Sequence, residues 1–382
     1  MAFALKDRVR DTTTTTGTGP FTVSGTPPQG YKTFSAAYST SDTFLGTIAH
    51  LSADEWVTGL LTYSASNQVT VTTILDSSSG GSAVSFSAGT KDVFVGLPAA
   101  RAQQAMHRPS TNDFRLTLTS GVPVTTSDVT AATNLYLSPK DGNTIALWDG
   151  AQWLNVTSAE VTESLSGLTA NSNFDVFAYL NSGAVDLETL IWTNATTRAT
   201  AIARTDGVLT KSGDKTRRWV GSFRTTASTG QTEDSETKRF LFNANNRIPR
   251  KLKRGSATTS YTQTSGTWMP WLNETTAIVE FLVGDPEEVI DARFDGLHSV
   301  VSSGTAYVGF DLDGTTTGTD ADFVAGTNSS STVLTVASAI YRRVPPLGYH
   351  YLQLMQQKGA SNTTFYGTLG DLTYGASGTF YA

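Results

Sequence analysis

The sequence contains no cysteine, which excludes disulfide staples and thiolate metal sites together. It is also poor in charge: Asp, Glu, Lys and Arg make up 16% of its 382 residues, against about 25% in ordinary soluble domains. No apolar run approaches the ~20 residues a membrane-crossing helix needs, so no membrane insertion is expected. The amino terminus, MAFALKDRVRD, is charged within its first turns and lacks the pattern of a signal peptide, which predicts a soluble chain made in the cytosol. Histidine is sparse. His50, His107, His298 and His350 stand far apart, in no HxH, HExxH or HxxxH spacing, so neither a metal set nor a cofactor is expected. GxSxG is absent, and Gly213-Asp214-Lys215-Thr216 lacks the Gly-Lys step of a phosphate loop. Gly17-Thr18-Gly19 meets Thr22 where a dinucleotide loop needs a third glycine. A net charge of −6 and a pI near 5.3 argue against a nucleic-acid partner. Nothing local points to catalysis.

Threonine, serine, glycine and alanine fill the space that charge leaves. β-Branched threonine suits a half-buried pleated surface, and serine and glycine suit turns, so the composition predicts an all-β chain of many short strands. The length predicts several small β-sandwich- or β-barrel-like domains in series. The first is an amino-terminal β-domain at 1–100, with an extended, poorly packed Thr-rich arm and strands at 31–36, 44–50, 55–63, 68–75, 83–86 and 92–97. Residues 101–111 form a linker within a proline-bounded stretch of helical composition, Pro98 to Pro109. A middle β-domain follows at 112–250 and a carboxy-terminal one at 251–382.

The middle of the chain has the clearest local pattern. Leu135 to Trp153 reads as three short strands folded back by Lys140-Asp141-Gly142-Asn143 and Asp149-Gly150, residues that tolerate positive φ. Strands at 174–180 and 185–192 form a hairpin across Asn181-Ser182-Gly183, and 197–204 is suited to a turn or two of helix. The stretch 217–225 alternates Arg218, Val220, Ser222 and Arg224 against Trp219, Gly221 and Phe223. Beyond residue 256, strands are expected at 275–283, 288–294, 305–311, 332–337, 347–357 and 363–368.

Four features invite a chemical reading. The densest positive charge lies at 238–254, where a phosphate-binding patch and a solvated domain junction both fit; the acidic balance elsewhere and the lack of interleaved aromatics favour the junction. Asp311-Leu312-Asp313-Gly314, with Asp320 and Asp322, compares with a calcium loop but lacks its closing glutamate, and Asp-Gly between strands is ordinary hairpin chemistry. Glu160/Glu163, Glu233/Asp234/Glu236 and Glu287/Glu288 are acidic groups that glycoside hydrolysis would need to converge in a cleft; solvated strand edges explain them equally well. Aromatic residues gather in the last segment. Trp268, Trp271, Tyr341, Tyr349, His350, Tyr351, Phe365 and Tyr366 suit either core and subunit packing or stacking on sugar rings, with packing favoured. Among them Trp268, Trp271, Tyr349, Tyr351 and Tyr366 are the candidates for contact with a receptor or glycan.

The middle segment resembles structural proteins of tailed bacteriophages, of the fibre or appendage kind. The residues that carry the resemblance are Asp113-Phe114-Arg115-Leu116-Thr117, Ser120-Gly121-Val122-Pro123-Val124, Ser138-Pro139 and Gly142-Asn143-Thr144-Ile145-Ala146-Leu147-Trp148-Asp149-Gly150. They continue in Leu165-Ser166-Gly167-Leu168-Thr169, Phe174-Asp175-Val176-Phe177, Asp206-Gly207-Val208, Val220-Gly221-Ser222-Phe223-Arg224-Thr225 and Asn246-Arg247. The first segment is similar to amino-terminal domains of phage fibres through Lys6-Asp7-Arg8-Val9, Gly30-Tyr31-Lys32-Thr33-Phe34, Glu55-Trp56-Val57-Thr58-Gly59 and Phe86-Ser87-Ala88-Gly89-Thr90-Lys91. The third rests on Gly348-Tyr349-His350-Tyr351 and Phe365-Tyr366-Gly367, and Asn245 departs from an aromatic expected before Asn246. The resemblance implies a non-enzymatic virion component, made in the bacterial host cytoplasm and assembled as a homotrimer with other tail or head–tail proteins. A tail or tail-tip fibre touching a host surface glycan or protein is the leading expectation. A head, neck (collar) or capsid-decorating appendage and a polysaccharide-depolymerising tailspike are the alternatives.

Overall fold

The computed structural model describes residues 3–98, 108–322, 324–329 and 333–382, and the chain is all β. Two compact units divide it, Met1–His107 and Arg108–Ala382.

In the first unit six strands form one sheet in the order Arg10–Thr13, Lys91–Val95, Thr43–His50, Trp56–Ala65, Gln68–Ser77 and Phe21–Thr22. Val57, Leu61 and Tyr63 alternate with half-exposed neighbours, the period expected when one sheet face is buried. The outer strands of the sheet meet: Ser24 N donates to Thr12 O at 2.8 Å and Thr13 bridges to Val23, so the sheet curls towards a barrel. Phe21, Phe34, Phe44, Leu61 and Val69 fill its interior.

Three expectations for this unit need correction. The beginning of the Thr-rich arm is packed: Asp11 and Thr13 are buried, because the Asp11 carboxylate takes hydrogen bonds from Ser24 Oγ and Gly25 N while Thr13 Oγ1 donates to Thr22 O. The strand expected at 31–36 gives way to a short helix, Phe34–Ala37, whose first turn is capped by Thr33 Oγ1 on Ala36 N at 3.1 Å. The strand expected at 83–86 reduces to a bridge between Phe86 and Gly17. Of the linker expected at 101–111, residues 101–107 lie outside the described residues and 108–111 belong to the second unit.

The second unit is a stack of several sheets. Its central strand, Asp214–Arg224, is buried on both sides from Arg218 onward and pairs with Asn173–Asn181 and Leu241–Asn243. Asn173–Asn181 and Ala184–Ile191 form the expected hairpin, turning through Ser182 (φ 52°) and Gly183 (φ 87°). Of the three strands expected in 135–153, Thr144–Trp148 and Trp153–Thr157 make a hairpin around Asp149-Gly150, but Asn134–Pro139 pairs elsewhere, with Phe114–Thr117 and Val161–Ser164. Gly142 does not take the positive φ expected of it. It is needed for closeness, since a Cβ there would run into the Asp113 carboxylate, which accepts from Thr144 N at 3.1 Å. The helical turn expected at 197–204 is absent, and Ile202–Thr205 is a strand.

The middle and last segments, expected as separate domains meeting near residue 250, pack as one body. Lys238–Arg239 runs parallel to Ile278–Val283, which joins Val129–Ala132 and Thr232–Asp234 to Gly348–Lys358 and Gly304–Leu312 in one sheet. A single apolar cluster runs from Phe177 and Trp219 to Phe294, Leu354 and Phe380.

One further sheet bears on function. Gly375–Tyr381 and Thr363–Tyr366 follow one another along one edge of Ile290–Val300, each carrying a further strand, Pro249–Gly255 and Ser260–Gln263 respectively, while Thr335–Arg343 runs along the other edge. Leu252, Ala376, Phe380, Ala292, Phe294 and Phe365 turn inward to the core. Directly paired residues share a sheet face, so Lys253, Ser377, Arg293 and Ile340 form one row on the other side.

Candidate functional site

The five candidate aromatics are not gathered in one place. Trp271 is fully buried, edge-on to Phe294 at 5.3 Å, and belongs to the core. Trp268 is half-buried and lies so close over Gly318 that a Cβ there would collide with the indole. Tyr349 is held from three directions: its hydroxyl donates to Glu280 Oε1 at 2.7 Å, the Arg224 guanidinium lies 3.8 Å above its ring, and Phe240 meets it edge-on. Burial first, and then the bond to Glu280, push that phenol well above its ordinary range. Tyr351 is half-buried beside Asp313, and burial with the Asp313 and Asp311 charges raises its phenol too. Tyr366 faces a trough. It shares a 3.1 Å hydrogen bond with Ser299 Oγ and lines, with Val301, Leu334 and Leu369, a depression of about 500 Å³.

The other chemical candidates resolve into architecture. Asp311 caps a turn, accepting from Thr316 N and Thr317 N at 2.9 Å each, while Asp313 accepts from Tyr351 N and pairs with His350 Nδ1 at 2.6 Å. Asp320 accepts from Leu312 N and Asp322 from Arg342 N and Arg343 Nε. Each carboxylate of the compared calcium loop is therefore already engaged. Among the described residues no group of three or more acidic or histidine side chains is placed to hold a metal. His50 sits against Ser52 N and Ala53 N through Nδ1 and Ala88 O through Nε2, and burial lowers His298; His107 lies outside the described residues. Glu160 ties a turn to a strand by accepting from Ser120 Oγ, Gly121 N and Ser138 Oγ. Glu287 and Glu288 pair with Arg247.

The basic run splits in two, a division that a one-dimensional count of charge could not show. Arg239 and Arg250 are buried and clamp Asp234 from both sides, at 3.0 and 2.9 Å. Arg115 lies beside them and donates to Asn246 O and Ala382 O at 2.8 Å each; burial first, then repulsion from Arg250, pushes its guanidinium down to about 10. By contrast Lys251 and Lys253 are exposed and flank the buried Leu252 on the outer sheet face, where strand alternation puts them. They line, with Arg254, Arg293 and Asp295, an open groove of about 460 Å³. The alternation Lys251-Leu252-Lys253 was the available signal for an outward-facing cationic row.

No family model matches the chain, and no curated protein matches it. Solved structures with a partial likeness include the insecticidal delta-endotoxin Cry8Ea1 from Bacillus thuringiensis, at 8% identity over 70% of this chain and 51% of that one, TM-score 0.22. Others are the infectious bursal disease virus Gt strain, 7% identical over 97% and 75% with TM-score 0.22, and an exo-β-1,3-galactanase from Phanerochaete chrysosporium, 12% identical over 95% and 72% with TM-score 0.13. The chain spans about half the length of the endotoxin. At these TM-scores the likenesses carry no argument, and the functional reading rests on the residues themselves.

Proposed function

We propose that this chain is a non-enzymatic structural protein of a tailed-bacteriophage particle, a fibre-like tail or tail-tip component that assembles as a homotrimer and takes part in host attachment. One observation carries the reading. The pieces of sequence that resemble phage fibre and appendage proteins interlock as the frame of the second unit. Asn246 Nδ2 donates to Asn112 O and Phe114 O, and Arg115 donates back to Asn246 O. Asp175 accepts from Ser222 Oγ at 2.7 Å and Trp219 Nε1 at 3.1 Å, and Thr225 Oγ1 donates to Thr169 O. A resemblance made of framework residues speaks to shared architecture, and a particle part that acts by shape needs such a framework.

Labelling intact particles with an antibody against this chain, viewed by electron microscopy, tests the reading. Label on tail or tail tip is expected; label at the neck or head selects the appendage alternative, and unlabelled particles overturn the proposal. Light scattering of the purified chain should give three times the 40.6 kDa protomer mass, and a stable monomer at micromolar concentration would remove the trimer. Release of reducing ends from capsular polysaccharide would remove the non-enzymatic claim.

A further inference from the structure

We infer that the groove on the outer face of the Pro249–Gly255, Gly375–Tyr381 and Ile290–Val300 strands binds an acidic polysaccharide, with Lys251, Lys253 and Arg293 taking its carboxylates. The inference names a ligand class for the attachment role proposed above and rests on that reading only for its biological setting.

The groove follows from the strand pairing. Lys253 lies opposite Ser377, and Ser377 opposite Arg293, so a short side chain sits between two long cations on three neighbouring strands. Two inter-strand steps set the trough about 10 Å across. One register further along, Gly255, Gly375 and Asp295 align in the same way. Gly375 cannot be replaced without moving the backbone, since a Cβ would strike the Arg254 carbonyl; that closeness leaves the floor bare. The result is a channel along the strands, walled by cations and floored by glycine and serine.

The charges in it are incompletely matched. Lys251 pairs with Glu236 at 2.8 Å and Arg293 with Asp295 at 2.8 Å. Among the described residues the exposed Lys253 has no carboxylate within ion-pair distance. Two carboxylates, Glu236 and Asp295, thus face three cations around the open trough, Lys251, Lys253 and Arg293. An anion brought to them gains charge-assisted hydrogen bonds that solvent-screened surface pairs do not offer.

The surroundings favour a sugar polymer over a nucleic acid. Single-stranded nucleic acid is held by successive aromatic platforms beside a continuous basic track. Here Tyr374 is the one ring lining the groove, it packs partly on the core, and Asp295 interrupts the track. Ser377 on the floor offers a hydroxyl suited to sugar hydroxyls.

Affinity electrophoresis of the full chain through gels containing polygalacturonate, dextran sulfate or neutral dextran tests this. Retardation by polygalacturonate, weakened by added salt, and none by neutral dextran is expected. The exposed Lys253→Gln should weaken binding about tenfold. Ser377→Glu, which sets a negative charge on the floor at another exposed position, should weaken it about a hundredfold. Both variants should keep the parent unfolding midpoint. Retardation by sulfate but not carboxylate polymer moves the ligand to a sulfated glycan and overturns the carboxylate assignment. Equal retardation by neutral dextran, no retardation by any polymer, indifference to Ser377→Glu, or tighter binding to oligo-dT than to polygalacturonate overturns the proposal. None of these readings needs a virus particle, so this inference and the virion reading fail separately.

Discussion

Among the described residues the first unit buries one full cation, Lys91, whereas the second buries five arginines, Arg115, Arg218, Arg224, Arg239 and Arg250. The difference follows from how each unit closes. A single sheet whose outer strands meet satisfies most of its backbone through its own ladder, and its one buried lysine, Lys91, serves mainly a local turn, donating to Ser87 O and Gly89 O at 2.8 and 2.7 Å and, at 3.4 Å, to Thr14 O. A stack of several sheets leaves carbonyls stranded between layers, and a buried unpaired carbonyl is costly. The planar, many-donor guanidinium reaches several at once. Arg218 Nη1 alone faces Pro109 O, Thr111 O and Ala146 O at 3.0, 2.8 and 2.8 Å, and burial pushes its guanidinium down to about 10. Carbonyls hold the charge; no carboxylate is needed.

Four substitutions bear on this contrast. The largest effect is expected from Asp234→Ala, which leaves Arg239 and Arg250 buried without their counter-charge and should cost about 3–5 kcal/mol. Urea unfolding should show that loss in the transition of the second unit alone, and an unchanged midpoint there would break the comparison. Phe44→Ala empties the aromatic cluster formed with Phe34 and Tyr38 in the first unit, and should cost about 3–4 kcal/mol. Its loss should fall on the other transition. Glu160→Gln is expected to cost about 1–2 kcal/mol at neutral pH. Burial pushes the Glu160 carboxyl up, but hydrogen bonds from Ser120, Gly121 and Ser138 outweigh it and hold it below its ordinary value. Its stabilisation is therefore complete above that ordinary value, about 4.3, and is lost as pH falls through the lower folded one. The variant should lack this part of the acid sensitivity, and an identical pH profile would refute the assignment. Smallest of all, Lys140→Ala at the exposed pair with Asp141 should change stability by less than about 0.5 kcal/mol.

What could be read from the sequence was local. The hairpin through Asn181-Ser182-Gly183 was legible because turn residues and flanking apolar runs lie within one short window. All-β character was legible for the same reason, being a sum of local preferences. Residues 238–254 were not, because the partners that separate Arg239 from Lys253 come from elsewhere in the chain or from the sheet face each occupies. The clamp on Asp234 also enlists the distant Thr125, whose carbonyl accepts from Arg250 at 2.7 Å. Trp271 and Tyr366 show the same limit. Both are aromatic residues in a strand-rich segment, yet one is sealed in the core and the other lines a trough. The missed boundary near residue 250 has a similar cause: the parallel pairing of Lys238–Arg239 with Ile278–Val283 leaves no trace in either stretch alone.

Indole placement gives the molecule a built-in optical asymmetry. Of seven tryptophans, Trp56 alone lies in Met1–His107, and the remaining six lie in Arg108–Ala382. Arg198 is stacked between two of them, 4.7 Å from Trp192 and 4.9 Å from Trp219. Emission from the intact chain is therefore dominated by the second unit, where two of six indoles flank that guanidinium. Far-ultraviolet dichroism sees the strands of both units, so the two signals recorded on one sample separate the melting of each without cutting the polypeptide.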